Sequence, residues 1–311
     1  MKIALCFIIS YEHILNKEHI WKEWIEPNKD IINVYFYYKD LKQIKSEWIR
    51  SHTIPPDHIH ETSYFYVIPA YMSIISFAVK HDINNQWFCM LTDSCCPIIS
   101  PKKFRYLFYN YYDRTILSWK KAWWNVDFHK RANLALIPEN LRLANDPWFV
   151  MKKENVLHCL HFINKEKKLT QIICSGGLAN ESLFAIILQG YNQLTNVICA
   201  VTHTTEWARP ASSTSPHLFK EADELDIKFI DNSLKNDKCV MFIRKISKEF
   251  PDTVLREYIY NYSKESDDKL IIRMPPLFIF LQIKKYLYFC AYYGAPILFL
   301  SFLLYVFKYI L

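Results

Sequence analysis

Glycine is scarce in this chain. Four occur in 311 residues, at Gly176, Gly177, Gly190 and Gly294. Neither a Walker-type phosphate loop nor a G-x-G-x-x-G dinucleotide turn can be written with these positions, so both nucleotide-binding devices are excluded. No two of the nine cysteines stand in a C-x-x-C pair, which argues against a zinc ribbon or a dithiol redox motif. Most lie in apolar runs such as Trp87-Phe88-Cys89-Met90-Leu91 and read as buried thiols. No Asp-x-Asp sequence occurs, and neither His58-x-His60 nor His158-x-x-His161 has the neighbouring cysteines or acids that would complete a metal site. Internal repeats and low-complexity segments are missing too.

The basic excess belongs to the tail. The chain has 38 basic and 31 acidic side chains, a net charge of +7. Lys269, Arg273, Lys284, Lys285 and Lys308 have no acid among them, so residues 1–268 carry only +2, from 33 basic and 31 acidic side chains. A nearly neutral body argues against a nucleic-acid partner. At 51% hydrophobic and 22% charged, the bulk is globular and long enough for a substantial core.

Tyr286 to Phe307 is an apolar run of 22 residues without a charge. As a helix it would extend about 33 Å, the thickness of a bilayer's hydrocarbon core. Lys284 and Lys285 before it, Lys308 after it and tyrosines near both ends are the usual interfacial anchors. The run is expected to be a single-pass C-terminal membrane anchor, and the positive-inside rule puts the body on the cytosolic side. A helix packed on the core is the alternative, and a lumenal body stays open. The N-terminal apolar run Ile3–Ile9 is too short to span and reads as a buried first strand.

Short apolar runs alternate with amphipathic stretches, which predicts an α/β layered fold. Strands are expected at Ile3–Ile9, Ile31–Tyr37, Gln86–Leu91, Gln171–Cys174, Asn196–Val201 and Cys239–Ile243. Helices are expected from Pro69 to about Asn84, from Ser100-Pro101 through Tyr109, from Lys152 to Ile163, from Asn180 to Gln189 and from Pro251 to Tyr262. Ser100 and Asn180 are the expected caps. Glu206 to Pro216, rich in Ser, Thr and Pro, reads as a long loop.

Five segments, in order, resemble one family. They are Trp87 through Thr92-Asp93-Ser94-Cys95-Cys96-Pro97-Ile98; Asn145-Asp146-Pro147-Trp148-Phe149, similar to Gly-Ser-x-Trp-Phe but lacking the glycine; Asn180-Glu181-Ser182-Leu183-Phe184, similar to Asp-Glu-x-x-Phe; Glu206-Trp207-Ala208-Arg209 with Pro216-His217, similar to Asp-Trp-Ser-Arg and a downstream Pro-His; and Phe242-Ile243-Arg244-Lys245-Ile246, similar to Phe-Ala-Arg-Lys-Phe. Together they resemble the core-2/I-branching β-1,6-N-acetylglucosaminyltransferases, especially plant and microbial relatives. The resemblance spans roughly residues 1–263, leaving 264–285 as a basic linker and 286–307 as the membrane helix.

The resemblance implies a GT-A-like (Rossmann-like) mixed sheet flanked by helices. It implies an inverting transferase that moves a sugar, N-acetylglucosamine first and xylose second, from a UDP-sugar to a hydroxyl of a glycan or glycoprotein. It implies no metal cofactor, with basic residues meeting the diphosphate. On that reading Glu181 is the base, and Lys245, Arg244 and Arg209 face the diphosphate. Trp207 and Trp148 pack on sugar, and Asp93 and Ser94 contact sugar or nucleotide. A helix start at Glu181 would favour its ionised form, so some burial is needed to keep it basic. Without the resemblance the same residues read as a helix start, a solvated strand end, core indoles and a turn cap. A non-catalytic sugar-binding membrane protein and a purely structural one remain alternatives. Asn180-Glu181-Ser182 and Asn261-Tyr262-Ser263 are glycosylation sequons, the first lying over the expected base.

Overall fold

The computed structural model describes residues 1–63, 65–275 and 284. One compact unit runs from Met1 to Leu270, and a second from Ile271 to Leu311. The expected membrane run, 286–307, lies outside the described residues. Among the described residues no helix is long and apolar enough to cross a membrane.

Nine strands are described: β1 (Lys2–Ile8), β2 (Ile32–Tyr37), β3 (Asn85–Thr92), β4 (Cys96–Pro97), β5 (Trp119–Lys121), β6 (Leu143–Asn145), β7 (Val150–Lys152), β8 (His203–Thr205) and β9 (Phe242–Arg244). The helices are α1 (Glu18–Ile25), α2 (Glu47–Ser51), α3 (Ile68–His81), α4 (Pro101–Tyr111), α5 (Lys153–Lys165), α6 (Lys167–Cys174), α7 (Leu183–Gly190), α8 (Glu224–Asn236), α9 (Asp252–Arg256) and α10 (Lys264–Asp268).

The central sheet has the order β2-β1-β3-β7. The first three strands are parallel, and β7 runs antiparallel to β3. Burial on both faces explains why β1 and β3 read as continuous apolar runs. Alternation sorts their side chains. Ala4, Cys6, Phe88 and Met90 join the core cluster formed with α3, α5 and α7. On the other face Phe7 meets Trp21 of α1, and Trp21 and Trp24 meet Phe242 of β9. Both indole N–H groups donate to backbone, Trp21 to Cys95 O at 3.0 Å and Trp24 to Ile99 O at 2.8 Å. A second sheet, β4-β9-β8, lies beyond β3, and β5 and β6 form a separate pair. The mixed sheet flanked by helices is therefore as expected.

Local signals explain several elements. Ser100 caps α4, its hydroxyl accepting from Lys103 N at 3.0 Å ahead of Pro101. Six of the eight residues of α7 are buried, as in a helix enclosed by core.

Other expectations are corrected. Gln171–Cys174 ends helix α6 and is not a strand. Asn196–Val201 contributes only a single bridge from Ile198 to Ile116, and the strand comes later, at β8. The strand expected at Cys239 starts at Phe242. The Pro251–Tyr262 helix divides into α9 and a π-helical turn, Glu257–Asn261. Among the eight described cysteines the buried-thiol reading holds for Cys6, Cys89, Cys95, Cys96 and Cys159, while Cys199 is exposed and Cys174 and Cys239 are half-buried. Residues 264–270, expected as linker, belong to the first unit, where Asp267 accepts from the Ser100 hydroxyl.

Candidate active site

The carboxyl end of β3 is where the segments singled out in sequence meet. Asp93 and Ser94 follow β3 directly. β4 then pairs with β9, Cys96 opposite Ile243, which carries Arg244 and Lys245 alongside. Ile246 N donates to Ser94 O at 2.8 Å and closes this contact. From the other side, Met90 N donates to Phe149 O at 2.9 Å, so the Asp146–Trp148 turn lies along the end of β3.

Arg244 ends β9 and is 5% exposed. Its guanidinium carbon lies 3.4 Å from the centroid of the Trp148 ring, a stacked cation–π contact. Burial pulls its pKa down, against the opposing pull of Cys95, Tyr71 and Asp93. Arginine starts high enough to stay a cation. Lys245 is held more loosely, its Nζ donating to Ser215 Oγ at 2.8 Å. Burial and the neighbouring Arg244 lower its pKa. Asp93 accepts from Ser10 N at 2.9 Å. Ser94 is buried, with its hydroxyl 3.4 Å from that of Thr92. Both therefore fix the loops at the strand ends.

Glu181 stands in a 3-10 turn, Ala179–Glu181, and α7 begins only at Leu183. The cap expected at Asn180 is thus not made, and the helix-start argument for its charge does not apply. Burial raises the Glu181 pKa, with Arg131 opposing, Asp146 reinforcing and Arg244 opposing. Arg131 Nη2 lies 3.4 Å from the Glu181 carboxylate. Asp146 is likewise raised by burial, against Ser118 and Lys120. Asn180 is buried, which leaves no room for a glycan on the first sequon.

Sequence reasoning missed three side chains here. Arg131 arrives on a loop that packs against Gly176 and Gly177, with Ala132 N donating to Gly177 O at 3.0 Å. An adjacent glycine pair in a glycine-poor chain was the available signal. Tyr71, buried on α3, donates to Pro147 O at 2.8 Å and pairs with the Asn180 side chain. His203 is buried beside Trp148 and Phe242, and burial, then Arg244, hold its pKa well below the ordinary histidine value. His203 Nε2, Arg244 Nε, Asn180 Oδ1 and Ser182 Oγ have no hydrogen-bond partner among the described residues. An unpaired buried group costs about 1–3 kcal/mol, so these four atoms are open to a ligand's hydrogen bonds.

Arg209 and Trp207 follow β8, whose Thr205 lies opposite Arg244, on the loop whose Ser215 meets Lys245. Arg209 is bound to Asp226 at 2.7 Å and Asp223 at 3.5 Å, with Glu206 at 4.0 Å. Among the described residues no hydrogen bond or ion pair links it to Glu181, Arg244 or Lys245. Trp207 is 52% exposed. A cavity of about 290 Å³ opens beyond β1 and is lined by His13, Asn16, Gln43, Lys45 and Lys248 among others. Asn16 joins it to the site, since its N–H donates to Asp93 O and its Nδ2 to Ile246 O. Among the described residues no group of three or more His, Cys, Asp or Glu could hold a metal ion. No protein-family model and no curated protein matches the chain.

Proposed function

We propose that this chain is an inverting glycosyltransferase of GT-A-like fold, transferring a sugar from a UDP-sugar to a glycan hydroxyl. The observation that carries the reading is a burial-raised carboxylate, Glu181, within the electrostatic influence of Arg244, the cation stacked on Trp148 at the end of β9. Strand carboxyl ends are where α/β sheets bind ligands.

In the proposed reaction the acceptor hydroxyl attacks the anomeric carbon. Glu181 takes its proton, and the bond from that carbon to the diphosphate oxygen breaks. UDP departs with the electron pair, and Arg244 and Lys245 face the charge that develops. The raised pKa suits a base working near neutrality. Trp148, its other face stacked on Arg244, offers an indole for a sugar ring. The cavity beyond β1 is the proposed place for the nucleoside. N-acetylglucosamine is the first donor to test, and UDP-xylose the second.

Calorimetry of the full chain with UDP tests the reading. Binding is expected to survive EDTA and to weaken at least tenfold in Lys245→Ala. UDP release from UDP-N-acetylglucosamine is expected to fall about 10²–10⁴-fold in Glu181→Gln. UDP binding without turnover would favour the non-catalytic sugar-binding reading. Loss of binding in EDTA would overturn the proposed diphosphate chemistry.

A further inference from the structure

The turn that carries Glu181 is short, irregular and outside the helix, so something else must fix it. Tyr71 reaches the Asn180 side chain, and among the described residues a second buried side chain, from β6, reaches the turn's backbone. Asn145, the last residue of β6, is 5% exposed. Its Nδ2 donates to Asn180 O at 2.9 Å and to Asp146 O at 3.0 Å. Its Oδ1 accepts from Ala185 N at 3.1 Å. Ala185 N–H is one of the free donors of the first turn of α7. Both amide hydrogens and the amide oxygen are therefore in use.

We propose that Asn145 is the positioning residue of Glu181, its carboxamide locking the 179–182 turn and the start of α7 to the end of β6. The inference rests on the glycosyltransferase reading for its consequence, but the lock itself does not. The bonds bracket Glu181: one partner precedes it by a residue and the other follows it by four. The third holds Asp146, so the two carboxyl-bearing segments are fixed to one amide. Only Asn supplies this pattern at this length. Asp lacks the donors, and Gly, which the resembling segment has at this position, lacks everything. The chain's departure from that pattern at 145, Asn for Gly, is what supplies the hydrogen bond to the backbone carbonyl of residue 180.

The experiment uses the full chain as wild type, Asn145→Gly and Asn145→Asp. Amide hydrogen exchange over residues 179–187 reads the lock. UDP affinity and the kcat and KM of UDP release from UDP-N-acetylglucosamine read its consequence. Asn145→Gly is expected to speed exchange in that segment at least tenfold and to cut kcat on the order of 10–100-fold. UDP affinity and KM should stay within about twofold, because Lys245 and Arg244 lie on another strand. Asn145→Asp keeps an acceptor for Ala185 N but adds a carboxylate near Glu181. It should therefore move the acid limb of kcat to higher pH, a shift that a purely structural loss would not produce. If Asn145→Gly does not fold, Asn145→Asp alone decides. Unchanged exchange in a folded variant overturns the lock. Faster exchange with unchanged kcat and pH profile overturns the positioning role. A wild-type chain without turnover removes the glycosyltransferase reading and the positioning role together, while exchange still decides the lock.

Discussion

Two opposed influences act on the Glu181 carboxyl, burial and the Arg131 guanidinium. Burial is the larger and sets the direction, upward from the ordinary carboxyl value. In the proposed role as base Glu181 must be ionised, so UDP release should rise as pH passes through this raised pKa. Arg131, 3.4 Å away, favours the ionised form and holds the rise to lower pH. Arg131→Ala should therefore shift the acid limb of kcat to higher pH and lower the rate near neutrality. The pH dependence of UDP release would show it, and an unmoved limb would mean that another group limits the rate. Sequence made Glu181 visible as a residue but not its environment. The burial comes from side chains distant in the chain, and Arg131 sits in a stretch whose charge pattern looks like any solvated loop.

At the scale of elements, legibility followed how local each determinant was. β1, β2 and β3 were readable because strands buried on both faces need unbroken apolar runs. Helix α4 was readable because its cap and first proline are adjacent in sequence. Gln171–Cys174 was misread because four residues cannot separate a strand from the end of a helix by periodicity. β8 was invisible because its His-Thr-Thr sequence has no apolar signature. The approach that delivers Arg131 shows the same non-local logic. A Cβ added at Gly176 would stand 2.4 Å from Asn133 N and 2.7 Å from Ala132 C, both backbone atoms with little freedom to yield. Gly176→Ala should force the 130–134 segment away. The expected cost is about 1–3 kcal/mol, as for other overpacking, and it would be read as a lowered melting temperature. Because Arg131 moves with that segment, the variant should also shift the acid limb of kcat upward, as Arg131→Ala does. A stability loss without the pH shift would mean that the ion pair survives by local adjustment.

At the scale of the whole molecule, the membrane anchor proposed from the 286–307 run carries a prediction about the side on which the Met1–Leu270 unit lies. Basic residues without acids precede the 286–307 run, and the positive-inside rule puts such a flank in the cytosol. The two sequons make this testable, because they differ in accessibility. Asn180 is buried and would stay unmodified in either compartment once folded. Asn261 is exposed, its Nδ2 bonded to Glu257 at the surface, and none of the described residues shields it. Its modification therefore reports the compartment alone. Expressed in a eukaryotic cell, the full chain should stay with membranes in alkaline carbonate and show no mobility change on endoglycosidase treatment. Asn261→Gln should then migrate like wild type. A glycosidase-sensitive species that disappears in Asn261→Gln would place the unit in the lumen and reverse the orientation. Release of the chain by carbonate would remove the anchor itself, and the basic flank would then say nothing about sides.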